Sequence, residues 1–336
     1  MRYGLSVLFL LLACVTTPPA TPPVALQPPA PPAALQVELA SQGSLQDRLS
    51  PADDSDLVIF YGAEQSGDLG PCGCPSRPRG GLARMASYSD ATNAQAGASP
   101  AILVNSGQWL EDAVGIDGNP RADVATLNRW MIKGQLALAP DALNVSTHDM
   151  AGLSGLGSGG DDLPLVSANV SGPGIEPMRF IKRGDLTIAI TGITKKGMTL
   201  LQTPGYEVRE PYSAALDVID GLDVDLVVLL SYHAREAAKK LAEEGRVDVV
   251  IDAQRHRTLD EPGRIGGALW IRSHFQTLRL GELRLRLNEG KIHTAMDRKI
   301  DTDEALGEER TQAAIYREAR KELRVIEKQL YGEPRK

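Results

Sequence analysis

A series of short apolar segments, alternating with segments of helical periodicity, constrains the fold of this chain more than any other feature. The segments rich in β-branched residues have the length of buried strands, and they are Leu57–Phe60, Ala101–Val104, Leu143–Val145, Leu165–Val170, Leu186–Thr191, Leu226–Leu230 and Val247–Ile251. Between several of them the apolar spacing predicts helices at Ala122–Ala137, Tyr212–Ile219 and Ala234–Glu244. Antiparallel strands are predicted at Ala268–Arg272, Thr277–Leu287 and Lys291–Met296. This order predicts an α/β protein, a two-sheet α/β sandwich that spans residues 54–298.

The C-terminal residues 299–336 are predicted to contain an amphipathic helix. Apolar side chains recur there at spacings of three and four residues, with charged side chains between them: Tyr316, Ala319, Leu323, Ile326 and Leu330. Two heptads do not distinguish a helix that packs back onto the domain from one that pairs with a second copy.

The N-terminus has the features of an export signal. Arg2 precedes an apolar run, Leu5–Ala13, that is too short to span a bilayer as a permanent helix. The run ends in Leu-Leu-Ala-Cys, which resembles the lipobox of bacterial lipoproteins and implies removal of residues 1–13 and acylation of Cys14. The resemblance, with Val15 after the cysteine, implies a lipid anchor in the outer membrane of the bacterial cell envelope, with the protein facing the periplasm. Residues 14–53 are then expected to form a linker, because Thr16–Ala34 is rich in proline and favours polyproline II.

The charge of the chain restricts its partners. The formal net charge is -7, and no cluster of lysine and arginine is interleaved with aromatic residues. We therefore expect no nucleic-acid partner. The expected partners are the membrane, through the lipid on Cys14, and a protein of the envelope.

Several sequence segments in the domain resemble those of a known family. They are Gly80–Arg84, Val104–Gln108, Asp141–Asp149, Leu163–Val170, Ile190–Thr194, Asp225–Tyr232, Asp248–Asp252 with His256, and Leu280–Leu283. In this order and spacing they are similar to the metallophosphoesterase domain of bacterial 5′-nucleotidases and UDP-sugar hydrolases, which has a calcineurin-like fold. The resemblance implies a sandwich of the metallophosphoesterase type in which two divalent ions at the carboxyl ends of strands support phosphate ester hydrolysis.

The resemblance also shows where this chain departs from the family. Matched residue by residue, the positions of the metal ligands fall on Glu64, Ser66, Gln108, Thr147, Tyr232, Gln254 and His256, and that of the catalytic histidine on His148. Of the metal positions, only His256 keeps its ligand type, and Glu64 is a carboxylate substitute. The neutral side chains at Gln108, Thr147, Tyr232 and Gln254 lack the charge that collects two dications, which favours a pseudoenzyme. A shifted alignment places His233 at the position of Tyr232.

Two closely spaced cysteines, Cys72 and Cys74, follow the first strand of the domain. With only Gly73 between them, they allow a small structural disulfide that closes the loop, or a redox-active dithiol. Two thiolates together with His148 or His256 also suit a soft metal such as Zn²⁺ or Cu(I). Nearby arginines favour the reactive thiolate. The sequence leaves these three interpretations open.

The sequence favours a membrane-anchored envelope lipoprotein that serves as a non-hydrolytic binding or assembly module. One alternative is a thiol redox or soft-metal protein that uses Cys72 and Cys74. A second alternative is a residual metal-dependent phosphoesterase in which His148 is catalytic. No cofactor is assigned, and a single divalent metal at the degenerate site and a soft metal at the cysteines remain open.

Overall fold

Two stacked β-sheets form the centre of the structure, a computed structural model that describes residues 35–50, 53–74, 76–112, 121–155, 160, 162–197, 203–253 and 263–332. The predicted signal peptide, Cys14, Gln254 and His256 lie outside the described residues. In spatial order the strands of the first sheet are β1 (Gln36–Ala40), β15 (Lys291–Asp301), β14 (Arg279–Asn288), β2 (Leu57–Gly62), β3 (Ala101–Asn105), β4 (Ala142–Asn144) and β5 (Leu165–Val166). Strands β2 to β5 are parallel, whereas β14 is antiparallel to both of its neighbours.

The second sheet has six strands, four of them parallel. In spatial order they are β12 (Gly263–Ile265), β13 (Ala268–Arg272), β11 (Val249–Ala253), β10 (Leu226–Tyr232), β8 (Leu186–Thr194) and β7 (Arg179–Arg183). Strand β13 was predicted to be antiparallel, but it pairs parallel with β11 and antiparallel only with the short edge strand β12. A separate two-stranded ribbon joins β6 (Val170–Ser171) to β9 (Glu207–Val208).

Helices cover the outer faces of both sheets. The helices are α1 (Leu45–Arg48), α2 (Leu82–Asn93), α3 (Ala122–Leu138), α4 (Thr147–Ser154), α5 (Pro211–Ile219), α6 (Arg235–Glu243) and α7 (Arg310–Tyr331). Residues of α2, α3, α4 and α7 share one apolar core with the first sheet, and residues of α5 and α6 share another with the second sheet. A third core lies between the sheets and includes Ile59, Val104, Ile190, Val228 and Ile251. Strands buried on both faces read as continuous apolar runs, which is why the sequence predicted this two-sheet α/β sandwich correctly.

Asn144 connects the two sheets at one edge. Its Nδ2 atom donates to the carbonyl oxygens of Ser106 (2.9 Å), Ile193 (3.1 Å) and Leu230 (3.3 Å). The close approach requires Gly192, because a Cβ atom there would lie 2.0 Å from the Asn144 Oδ1 atom. The carboxyl ends of strands from both sheets are thus held together at this edge.

The folded part begins before residue 54. Residues Gln36–Ala40, which the sequence assigned to the linker, form β1 and pair parallel with β15, from Gln36 opposite Met296 to Ala40 opposite Ile300. In α1, Arg48 is buried and pairs with Asp303 at 3.0 Å. The apolar side chains of β1 lie at the sheet edge with Val37 and Leu39 each 53% exposed, so this strand lacks the buried run that marked the others.

The C-terminal helix packs back onto the domain. Ala319 and Leu323 are buried, and α7 lies against α3. The Gln312 Nε2 atom donates to the Gly134 carbonyl oxygen at 2.8 Å, and the Trp130 Nε1 atom donates to the Glu322 carboxylate at 2.7 Å. The sequence left open whether this helix packs onto the domain or pairs with a second copy, and in the structure it packs onto the domain.

A buried network of charges links β14, β15 and α2. Glu282 is fully buried, and its carboxylate accepts hydrogen bonds from Arg284 (2.5 Å), Arg298 (2.7 Å) and the Tyr88 hydroxyl (2.6 Å). Arg298 also pairs with Glu38 of β1 at 3.0 Å. Burial of Tyr88 and the nearby Glu282 charge raise the pKa of the Tyr88 hydroxyl, so Tyr88 remains a neutral donor.

Asp53 extends this network and makes the stability of the fold sensitive to acid. Burial raises the pKa of Asp53, but hydrogen bonds from Arg284 and Ser55 outweigh burial and hold this pKa at about 2, against an ordinary value of 3.8. Because the pKa of Asp53 is lower in the folded state than in the unfolded state, its ionised carboxylate stabilises the fold at pH values above the ordinary pKa of 3.8. This stabilisation is lost as the pH falls from about 4 to about 2. We expect Asp53→Asn to lower the free energy of unfolding near neutral pH, because it removes the ion pair between Asp53 and Arg284. The expected loss is only about 1 kcal/mol, because Asp53 is 39% exposed and solvent screens this pair.

Urea unfolding at several pH values checks this expectation. The difference between the wild type and Asp53→Asn should shrink as the pH falls towards about 2. The matched control is Asp54→Asn, because Asp54 pairs with Arg286 but is 91% exposed and should contribute little at any pH. A difference for Asp53→Asn that stays constant down to that pH contradicts the assignment.

Candidate functional site

The candidate site lies where the parallel strands of both sheets end. Glu64 follows β2, Gln108 follows β3, and His148 lies in the first turn of α4 after β4. From the second sheet, Tyr232 is the last residue of β10 and Asp252 lies at the end of β11. Four of these five residues were predicted as site residues, and the structure brings those four to the same edge: Glu64, Gln108, His148 and Tyr232.

Asp149 organises the loops of the first sheet. Ser146 caps α4, and Asp149 completes the capping box by accepting from the Ser146 backbone N–H (2.9 Å) and hydroxyl (2.6 Å). The same carboxylate accepts from the backbone N–H groups of Gln108 (2.8 Å) and Leu110 (2.9 Å). Complete burial raises the pKa of Asp149, against the effect of these hydrogen bonds. One buried carboxylate therefore holds the loop after β3 against the loop after β4.

Four non-glycine residues in the site loops have left-handed backbone conformations. Glu64 and Ser66, both in the loop after β2, each have φ 49°, Gln108 has φ 53° and His233 has φ 52°. Such conformations are uncommon for side chains with a Cβ atom, cost about 1–3 kcal/mol each, and concentrate at functional sites. The loops after β2 and β3 are also joined directly, because the Glu64 N–H donates to the Gly107 carbonyl at 2.8 Å.

Tyr232 fills the centre of the site. Its ring is buried and lies 4.7 Å from the His233 ring and 6.0 Å, edge to face, from the His148 ring, measured between centroids. Its hydroxyl donates to the Gln108 side-chain oxygen at 2.6 Å. Two positions that correspond to metal ligands in the resembled family therefore bond to each other here.

His148 and Glu64 each face a partner that the sequence analysis did not assign to them. The His148 Nδ1 atom lies 3.5 Å from the Asp112 carboxylate. Glu64 is buried, and its carboxylate lies 3.3 Å from the His233 Nε2 atom. His233 entered the sequence analysis only as an alternative to Tyr232, yet the structure uses both residues. Its position directly after a buried strand was the available signal.

Asp252 was missed as a site residue. It is fully buried, with Arg235 at 3.2 Å and Arg272 at 3.8 Å from its carboxylate. Burial raises the pKa of Asp252, and the two arginines and His233 oppose that rise. An aspartate at the end of a buried strand was the signal in the sequence.

The donor atoms of the described residues do not fit a centre for two divalent cations. Within the ranges that the structure describes, no group of three or more His, Cys, Asp and Glu side chains is arranged to hold a metal ion. The predicted soft-metal site of Cys72, Cys74 and His148 is therefore not formed among the described residues. At the predicted metal positions, Gln108 and Tyr232 are neutral and bonded to each other, and the buried Thr147 hydroxyl has no hydrogen-bond partner among the described residues. Neutral donors hold dications weakly without carboxylates.

Cys72 and Cys74 are two free thiols in the structure, so the predicted structural disulfide is not present. The Arg79 N–H donates to the Cys72 sulfur at 3.3 Å, and the Cys72 N–H donates to the Arg79 carbonyl at 2.6 Å. Cys74 is exposed, with its sulfur 3.7 Å from the Ser76 hydroxyl. Hydrogen bonds from the Ser76 side chain and from the Arg77 and Ser76 backbones lower the pKa of Cys74.

A cavity of about 490 Å³ lies beside the site loops. The segment 66–71 forms one wall, and the start of α3 and the face of α7 form the others. The charged side chains that line it have both signs: Glu111 and Asp123 are acidic, and Arg121 and Arg320 are basic. Burial raises the pKa of Glu111.

Solved structures share this fold. The chain is similar to the Thermus thermophilus sulfate thiohydrolase SoxB (TM-score 0.66, 14% identity, 80% of this chain and 61% of that one). It is also similar to a 5′-nucleotidase precursor from Thermus thermophilus (TM-score 0.64, 18% identity, 80% of this chain and 59% of that one). A third similar structure is the calcineurin-like phosphoesterase YfkN from Bacillus subtilis (TM-score 0.59, 17% identity, 80% of this chain and 98% of that one). The fold is therefore that of the calcineurin-like metallophosphoesterases.

The chain spans about three fifths of the length of the first two of these structures. No protein-family model matches the sequence, and no curated protein matches it. Among the described residues, no helix is long and apolar enough to cross a membrane.

Proposed function

We propose that this protein is a non-hydrolytic binding or assembly module with a phosphoesterase fold, held at the bacterial envelope by lipid on Cys14. The observation that carries the proposal is the hydrogen bond of 2.6 Å between the Tyr232 hydroxyl and the Gln108 side chain. It engages two positions at which the resembled family holds metal, and it does so with neutral groups.

The charges around this bond support the same conclusion. Two-metal hydrolysis depends on carboxylates that bind the cations and leave them free to polarise the phosphoryl oxygens. The buried carboxylates of the site are already engaged, Glu64 by His233, Asp252 by Arg235 and Arg272, and Asp149 by its four hydrogen-bond donors. The guanidinium groups next to Asp252 also repel a cation.

The geometry of the site loops, by contrast, supports a role in binding. Asp149 fixes the loops after β3 and β4 through four hydrogen bonds, and four non-glycine residues of the site loops have left-handed backbone conformations. Loops held in costly conformations by a rigid scaffold suit the recognition of a ligand or a protein. The lipobox and the proline-rich segment support a position at the membrane surface.

A residual hydrolase is the second candidate, because His148 is present at the site and lies beside a carboxylate. The two candidates are separated by assaying the full-length protein in detergent with Mn²⁺, a 5′-nucleotide and a thiol-bound sulfate ester. We expect no release of phosphate or sulfate above that of a His148→Ala variant, with His293→Ala as the control outside the site. Release that His148→Ala abolishes and His293→Ala preserves overturns the proposal.

Restoring carboxylate and imidazole ligands provides the reverse test. We expect the double variant Gln108→Asp, Tyr232→His to bind Mn²⁺ at least about tenfold more tightly than the wild type, because it replaces two neutral groups by metal ligands. Isothermal titration measures the affinity. Wild-type protein that already binds two Mn²⁺ ions with higher affinity than the double variant contradicts the proposed loss of the site.

A further inference from the structure

The loop between β2 and α2 carries two free thiols at an exposed tip. Cys74 and Gly73 are exposed, whereas Cys72 is half-buried. We propose that Cys72 and Cys74 form a dithiol that reduces a disulfide, with Cys74 as the attacking thiol and Cys72 as the resolving thiol. This activity is separate from the binding role proposed above and does not depend on it.

Cys74 has the environment of an attacking thiol. Its sulfur is open to solvent and lies 3.7 Å from the Ser76 hydroxyl. Hydrogen bonding from the Ser76 side chain and from the Arg77 and Ser76 backbones lowers the pKa of Cys74, and the positive charge of Arg79 lowers it further. Access, donors and positive charge together favour the thiolate, which is the nucleophile in thiol–disulfide exchange.

Cys72 has the environment of a resolving thiol. It is less exposed than Cys74, and two hydrogen bonds to the backbone of Arg79 fix its position, one from the Arg79 N–H to sulfur (3.3 Å) and one from the Cys72 N–H (2.6 Å). Between the thiols lies Gly73, where an added Cβ atom would have no described atom within 4 Å. The peptide that joins the thiols is therefore free to turn, as ring closure between Cys72 and Cys74 requires.

The base of the loop is anchored to the domain. The Gly80 N–H donates to the Thr302 carbonyl (2.8 Å), and the Gly81 N–H donates to the Thr277 hydroxyl (2.6 Å). Arg79 pairs with Asp301 at 3.3 Å, and Arg84 donates to the Pro78 carbonyl at 2.8 Å. An open tip on a fixed base presents the thiols to a substrate without disturbing the core.

The exchange proceeds in two balanced steps. The Cys74 thiolate attacks one sulfur of the substrate disulfide, the substrate S–S bond breaks, and the first substrate thiolate leaves. The Cys72 thiol then loses its proton and attacks the Cys74 sulfur of the mixed disulfide, and the second substrate thiolate leaves as the Cys72–Cys74 bond forms. The protein dithiol loses two electrons, the substrate disulfide gains them, and the two protons pass through solvent to the substrate thiols.

The test uses the reduced, full-length protein in detergent with glutathione disulfide as the probe, followed by peptide mass mapping that separates these thiols from Cys14. The wild type should release two glutathiones per protein and acquire a Cys72–Cys74 bond. Cys72→Ser should stop at a mixed disulfide on Cys74, and Cys74→Ser should react at least about tenfold more slowly. Insulin disulfides, in a parallel assay, show whether a protein disulfide reacts faster than the small one.

Several results overturn the proposal. One is stable glutathione on both cysteines of the wild type, with no bond between them. Another is a Cys74→Ser variant that reacts as fast as the wild type, because that result would make Cys72 the attacking thiol. A third is failure of both probes to oxidise the wild-type pair. Because phosphate release and Mn²⁺ binding involve other residues, these outcomes leave the proposed binding function unaffected.

Discussion

Replacing Asp149 by alanine is expected to lower the free energy of unfolding by about 3–5 kcal/mol and to release the site loops. The Asp149 carboxylate is completely buried and accepts from three backbone N–H groups and one hydroxyl, between 2.6 and 2.9 Å. Alanine leaves the N–H groups of Leu110 and Ser146 without an acceptor, whereas the Gln108 N–H keeps only the Ser146 hydroxyl oxygen at 3.1 Å. Each unsatisfied buried donor costs about 1–3 kcal/mol before the loop relaxes. Because Gln108 is one of the residues held, its left-handed conformation should relax as well.

Urea unfolding measures the change in stability, and amide hydrogen exchange of Gln108 and Leu110 measures the release of the loop. Asp149→Asn should have an intermediate effect, because it keeps one oxygen acceptor. Asp217→Ala is the control, since Asp217 forms an ion pair with Arg209 that is half exposed and should contribute less than about 1 kcal/mol. Unchanged exchange at Leu110 in Asp149→Ala means that the carboxylate does not hold the loop.

Replacing Glu282 by alanine is expected to destabilise the fold by about 3–5 kcal/mol, because it removes the buried counter-charge of Arg284 and Arg298. The two arginines then keep only the partly exposed carboxylates of Asp53 and Glu38. Arg284 and Arg298 both point at Glu282 from neighbouring positions on β14 and β15, and both are buried. The Tyr88 hydroxyl loses its acceptor in the same variant. The effect is thus the loss of the one buried counter-charge that these two arginines share.

Glu38 offers a matched control on the same arginine. It pairs with Arg298 at 3.0 Å but is 50% exposed, so Glu38→Ala should cost less than about 1 kcal/mol. If Glu282→Ala does not fold, Glu282→Gln, which keeps the shape and one acceptor, provides the measurable step. Equal losses for the Glu38 and Glu282 variants contradict the assignment of Glu282 as the centre of the network.

The central strands could be predicted from sequence because burial on both faces makes them continuous apolar runs. The predicted helices at 122–137, 212–219 and 234–244 agree with α3, α5 and α6 within two residues. β1 could not be predicted in the same way. Its side chains are mostly exposed, and what holds it is backbone pairing with β15 and the Arg298–Glu38 pair, neither of which leaves a periodic pattern.

The site was predicted in part for a related reason. The resemblance to the metallophosphoesterase family placed Glu64, Gln108, His148 and Tyr232 in one site, and parallel strands that end at one edge of the sheets bring them together. The contacts among them depend on side-chain directions that spacing does not determine. The left-handed turn at His233 lets both Tyr232 and His233 reach the site, towards Gln108 and Glu64 respectively, where the sequence analysis treated them as alternatives.

The position of β1 also determines how the folded part responds to mechanical load. A tensile force along the chain from its N-terminal side, directed along β1, acts in shear on all five residue pairs with β15 together. Parallel neighbours under shear must slide past each other, so the hydrogen bonds share the force instead of opening one by one. The buried ion pair between Arg48 of α1, which follows β1 in the chain, and Asp303 is a second restraint on the same segment. The point at which the proposed tether enters the domain is thus built as a mechanical clamp.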